Sequence, residues 1–109
     1  MPQIIVRGIK PEDMCKVSQD MIDRLVEKVK CPRDYFEIEC VNSVKVTNGV
    51  LEQPYPFVEV AWFDRGQEVQ DDVARIITDS IREGLGVRDM DLAFTLFEKN
   101  RYYENGEHF

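Results

Sequence analysis

Two stretches of about twenty residues carry apolar side chains at helical spacing, and short β-rich runs bracket each of them. In the first, Met14, Val17, Met21, Leu25 and Val29 recur every three or four positions, with Ile22 and Val26 beside them. Such a stripe is stable only when another layer covers it. Pro11-Glu12-Asp13 supplies the start, because proline suits a first turn and acids favour the positive end of the helix dipole. Cys31-Pro32 supplies the stop, since the residue before proline avoids helical backbone. The second stripe, Val69, Val73, Ile76, Ile77 and Ile81, predicts a helix over residues 67–84, with Gly84 and Gly86 ending it.

Strand signals fill the remainder. Residues 3–7 are β-rich, residues 36–46 alternate, and residues 57–63 and 91–97 supply two further strands. Asn48-Gly49 signals a tight turn. The element order is β-α-β-β-α-β. This predicts an α+β fold: two right-handed β-α-β units forming one four-stranded sheet, with both helices on one face. Val58, Val60 and Trp62 alternate with Phe57, Ala61 and Phe63, so one of these sets lies on the face without helices. An uncovered apolar sheet face predicts oligomerisation.

At 109 residues and 43% hydrophobic, the chain is expected to form a single domain over residues 1–109. No apolar run approaches the length of a membrane span, and no secretory signal is apparent, which predicts a cytoplasmic protein without membrane contact. Fourteen basic residues against twenty-one acidic ones give a net charge of -7, with no segregated basic patch, which argues against a nucleic-acid partner. Cys15, Cys31 and Cys40 form no C-x-x-C pair, and His108 is the single histidine. A metal site is not expected from this set.

Candidate chemistry starts at Met1-Pro2. Removal of the initiator methionine leaves Pro2 as a secondary amine, and burial lowers the pKa of such an amine toward neutrality. A neutral amine serves as a general base. At the other end, Tyr102, Tyr103 and Phe109 make the tail too aromatic to stay free. Asn105-Gly106 predicts that it turns back and docks, with a neighbouring subunit as the expected surface. Glu39 and Glu59 are mid-strand acids that either face solvent or pair with arginines across a subunit boundary.

Met1-Pro2-Gln3-Ile4-Ile5-Val6, the corner Cys31-Pro32-Arg33-Asp34-Tyr35-Phe36 and the ending Tyr103 to Phe109 together resemble the tautomerase superfamily, which includes macrophage migration inhibitory factor. The stretch from Trp62 to Gln67 and the same ending resemble a small bacterial family of unknown function in that superfamily. The resemblance implies a homotrimer whose sheets surround a central axis. It also implies cofactor-free isomerisation of small keto/enol acids, with Pro2 as catalytic base at a subunit boundary. Tyr35 matches a pocket position. Cys31 stands where a pocket lysine precedes the corner proline, Asp91 and Ala93 stand where a tyrosine and an asparagine are found, and Glu37 replaces an arginine. The substrate cation must then come from elsewhere: Arg65 at the strand-to-helix junction, or Arg7 at the far end of the first strand and Lys10 in the loop after it. The free amides opening the second helix would add to an anion site beside Arg65. A local Asp64–Arg65 ion pair is the alternative for that junction, and a small half-buried hydrophobe is the alternative to a pocket role for Cys31. Two further readings compete with the isomerase: a trimer that kept the fold for binding or structure, and a ferredoxin-like ligand-binding module with the same element order.

Overall fold

Both helical stripes bury themselves against one side of one sheet. The computed structural model describes residues 2–109. Strand β1 (Gln3–Arg7) leads to helix α1 (Pro11–Val29) and returns as β2 (Glu37–Val41). Strand β5 (Phe57–Phe63), helix α2 (Gln67–Leu85) and β6 (Asp91–Phe97) repeat that path. Between the halves lies a hairpin of β3 (Lys45–Thr47) and β4 (Val50–Glu52), and a second hairpin, β7 (Tyr103–Glu104) with β8 (Glu107–His108), ends the chain. The four-stranded sheet has the order β2-β1-β5-β6. Pairing is parallel within each β-α-β unit and antiparallel where β1 meets β5.

Register decides which side chains share a face. Ile38, Ile4, Val60 and Phe94 form one row across the sheet, and Cys40, Val6, Val58 and Leu92 form the next. Trp62 continues this face, and these rows pack into one core with Met14, Met21 and Leu25 of α1 and Val73, Ile77 and Ile81 of α2. The opposite face mixes apolar and acidic residues: Glu39, Ile5, Glu59 and Ala93 make one of its rows. The two-faced sheet expected from the alternation is present, and Phe57, Ala61 and Phe63 are the set away from the helices.

Three local expectations change. Residues 36–46 are not one strand: β2 stops at Val41, and β3 is already part of the separate hairpin. Asn48 and Gly49, with φ of 49° and 77°, make its turn, and their backbone needs explain the Asn-Gly pair. Val46 and Leu51 stay exposed on this hairpin.

Helix α2 runs through Gly84, and only Gly86, with φ of 69°, ends it in left-handed backbone. Gly84 is instead a packing position. A Cβ built there would lie 2.5 Å from Val17 Cγ1, so the missing side chain lets α2 approach α1.

The tail folds back as expected, but onto its own chain. Phe109 donates its N–H to the Tyr102 carbonyl at 3.1 Å. Its ring stacks 5.4 Å from Phe63, while Tyr102 sits 5.2 Å from Phe63 and 5.0 Å from Phe97. These rings cover one end of the sheet's helix-free face, because Phe63 and Phe97 are partners in register.

Candidate functional site

Pro2 enters β1 at the end of the sheet where β2 begins and β5 finishes. Its carbonyl accepts the Glu37 N–H at 3.3 Å. On the other side, the antiparallel register that pairs Gln3 with Ala61 brings Pro2 alongside Trp62. Both side chains are fully buried. The expected loss of Met1 lies outside the described residues.

Trp62 packs its ring 5.2 Å from Phe94 at a tilt of 36°. Its indole Nε1 is buried, yet it has no hydrogen-bond acceptor among the described residues. A buried donor left unpaired costs about 1–3 kcal/mol, so such a group in an otherwise apolar core invites a partner. The Arg65 guanidinium lies 5.8 Å from the centre of the same indole ring. Contacts of this kind between a cation and an aromatic face are favourable.

The junction that holds Arg65 does not form the expected ion pair with Asp64. Asp64 Oδ1 accepts the Gly66 N–H at 2.9 Å, closing a turn of its own at the start of α2. Gly66, with φ of 89°, occupies backbone that a side chain would strain. No side chain caps α2 at this end, so its first amides add to the positive potential around Arg65. Among the described residues, Arg65 forms no salt bridge.

Cys31 joins this group from the end of α1. Burial raises its thiol pKa, and the positive charge of Arg65 partly opposes the rise. The thiol is therefore protonated at neutral pH. Tyr35 lies on a short 3-10 turn (Arg33–Tyr35) between α1 and β2 and is 43% exposed. Arg33 ties that turn to α1 through an ion pair with Asp23 and a 3.3 Å bond to the Gln19 carbonyl. The pairing makes Arg33 a structural clamp.

Arg7 and Lys10 are elsewhere. Arg7 ends β1, where its guanidinium covers the Phe57 ring at 4.5 Å. Lys10 lines a surface cavity of about 270 Å³ with Ile9, Asp13, Gln53 and Leu85. Five strand residues separate this end of β1 from Pro2, roughly 15 Å at strand spacing. Asp91 and Ala93, opposite Phe57 and Glu59, also lie toward that far end. Within one chain, the structure groups Pro2 with Cys31, Arg65 and Trp62 and leaves Arg7 and Lys10 apart. Trp62 is the member that sequence reasoning missed as a site residue. Its only signal was its place just before the Asp64-Arg65 junction, and the register with Pro2 is not visible locally.

No group of three or more histidine, cysteine or acidic side chains is arranged to hold a metal ion among the described residues. No described helix is long and apolar enough to cross a membrane.

Solved structures share the fold. A crystal structure of a domain of unknown function (DUF1904) from Sebaldella termitidis is 32% identical, covers all of both chains and superposes with a TM-score of 0.89. A macrophage migration inhibitory factor-like protein from Entamoeba histolytica is 17% identical over 99% of this chain and 98% of its own, with a TM-score of 0.72. A fused 4-OT, solved as an asymmetric trimer, is 12% identical over 98% of this chain and 94% of its own, with a TM-score of 0.74. The last two establish a tautomerase-like α+β fold. Among proteins of curated function, none matches the chain. The chain belongs to the DUF1904 family, the domain of unknown function whose profile spans residues 1–108.

Proposed function

We propose that this protein is a cofactor-free, tautomerase-like isomerase of small keto/enol acids, working as a homotrimer in the cytoplasm. The observation that carries the reading is the burial of Pro2 beside Arg65, Trp62 and Cys31 at one end of the sheet. With Met1 removed, Pro2 presents a secondary amine in an apolar setting, where desolvation disfavours the ammonium form. The neutral amine takes a proton from the carbon next to the substrate carbonyl. The C–H electron pair becomes the C=C bond and the carbonyl oxygen becomes an oxyanion, which the Pro2 ammonium then protonates to the enol. Arg65 binds the substrate carboxylate, with Tyr35 at the rim and Cys31 as an apolar wall.

A trimer follows the arrangement of the fused 4-OT and covers the mixed face of the sheet. Arg7 and Lys10 stand at the opposite end of β1 from Pro2, so a role for them at the same substrate needs a neighbouring subunit. Three free cysteines suit a reducing compartment, and residues 1–109 act as one unit.

A second reading, a trimer that binds a small organic acid without turning it over, is favoured by Cys31 in place of the pocket lysine. Deuterium uptake at C3 of pyruvate separates the two. The isomerase reading expects uptake by protein beginning at Pro2 and none when Met1 is retained, since an amide nitrogen accepts no proton. Equal uptake in both forms shows that Pro2 is structural, and no uptake in either leaves the binding trimer.

A further inference from the structure

Two of the three cysteines converge where α1 crosses the edge of the sheet. Strand β2 is an edge strand, bonded to β1 alone. Cys40 lies on its helix-facing side, in the row with Val6, Val58 and Leu92, and packs against the core. The flank of α1 that faces β2 is marked by a surface cavity, which Ser18, Gln19 and Ile22 line together with Phe36 and Ile38. Cys15 stands three, four and seven positions before those helix residues, so it continues the same flank. Cys40 stands two positions after Ile38, so it continues the same face of the strand. Strand β2 is parallel to β1, and α1, which links them, runs the other way. The two continuations therefore meet.

The electrostatics agree. Burial raises the Cys40 thiol pKa, and Cys15 and then Glu12 raise it further, which puts the first turns of α1 beside Cys40. The third thiol is remote from both. Cys31 follows the other end of α1, roughly 20 Å along the helix from Cys15. It lies near Arg65 at the Pro2 end of the sheet, whereas Cys40 is the partner of Val6 toward the opposite end of β1. We propose that Cys15 and Cys40 are a redox-active pair, which hydrogen peroxide joins into a disulfide between α1 and β2 and a thiol reductant reopens.

Exposure sets the order of events. Cys15 is exposed and Cys40 half-buried, so Cys15 meets the oxidant. One oxygen of the peroxide bonds to the Cys15 sulfur as the O–O bond breaks, and the other leaves as water, giving a sulfenic acid. The Cys40 sulfur then displaces hydroxide from the Cys15 sulfur, and the Cys40 proton leaves with it as a second water. Two electrons pass from the thiols to the peroxide. A disulfide needs Cα atoms within about 7 Å, and an edge strand closes on the helix above it without breaking a second ladder. In a reducing compartment such a bond is transient and serves sensing rather than permanent bracing. The bridge closes a loop over residues 15–40 and fixes the edge strand to α1 at the end away from Pro2.

The test treats the full chain with hydrogen peroxide, alkylates the remaining thiols and maps peptides by mass spectrometry without reduction. A linked Cys15–Cys40 peptide is expected, lighter by two hydrogens than its parts, from a chain that runs as a monomer on a non-reducing denaturing gel. Cys31 should be alkylated, and dithiothreitol should return all three cysteines to the alkylated form. Oxidation should raise the melting temperature by about 5–15 °C. That rise should vanish in Cys15→Ser and in Cys40→Ser and persist in Cys31→Ser. The inference is overturned if Cys15 and Cys40 stay alkylated after peroxide, oxidise to sulfinic acids without joining, or link one chain to another. The wild-type map decides the matter even where a serine variant fails to fold.

Discussion

Replacing Gly84 with alanine sets two known effects against each other, and the structure decides the sign. Glycine in a helix is worse than alanine by roughly 0.5–1 kcal/mol, so propensity alone favours the substitution. The new Cβ, however, meets Val17 Cγ1 at 2.5 Å, far inside the contact distance of about 3.5–4.0 Å between carbons. Val17 is buried in α1 and branched at Cβ, so it does not swing aside cheaply. Relief requires the helices to separate, and overpacking of this kind costs about 1–3 kcal/mol. The net expectation is a loss of about 1–2 kcal/mol, which lowers the melting temperature by about 4–8 °C for a chain of this size.

Urea and thermal unfolding of Gly84→Ala, Val17→Ala and the double variant measure it. Removing the Val17 methyls clears the contact, so in the Val17→Ala background the alanine at 84 should become neutral or stabilising. A Gly84→Ala protein more stable than the parent, or a cost that persists unchanged in the Val17→Ala background, refutes the argument.

Other outcomes follow from the same structure. Pro2→Ala in protein lacking Met1 keeps a primary amine, so deuterium uptake should fall without vanishing, whereas an N-terminal tag should abolish it; intact mass establishes which terminus is present. Sedimentation at micromolar concentration should give a trimer, and a monomer would contradict the assembly proposed from the fold. The Cys31 thiol has a raised pKa because of burial, so the folded state holds a proton that the unfolded chain releases. The contribution of Cys31 is therefore full below the usual thiol range and lost as pH rises through it, and Cys31→Ser should flatten the alkaline decline in stability. Truncation before Tyr102 uncovers Phe63 and Phe97 and should destabilise the fold by about 2–4 kcal/mol, given that large apolar side chains gain roughly 1.5–3 kcal/mol each from full burial and these are only half buried. Denaturant unfolding reads that loss, and an unchanged midpoint would mean that the tail contributes no stability.

The helices were legible because their signal is local. Met14, Val17, Met21, Leu25 and Val29 announce a stripe that the folded chain buries without exception, and Asn48-Gly49 announces its turn by backbone preference alone. The positions of the four main-sheet strands were legible for the same reason, though not where β2 ends and the β3–β4 hairpin begins. The spacing of apolar groups along the chain is a one-dimensional property, and a helix or strand reads it directly.

Tertiary structure alone decided the rest. Gly84 looks like a helix stop in sequence and is a helix contact in space, because only the meeting of α1 and α2 shows what a Cβ would strike. Asp64 and Arg65 look like an ion pair and are not one, because the Gly66 amide takes the carboxylate and Arg65 turns over the Trp62 ring. Pro2 and Trp62 stand sixty residues apart, and no periodicity joins them. The antiparallel register of β1 against β5 does so, and with it places at one end of the sheet a buried proline, an indole N–H with no acceptor among the described residues and a guanidinium with no salt bridge among them. Register is a property of two strands together, so a cluster built across strands does not exist until they pair.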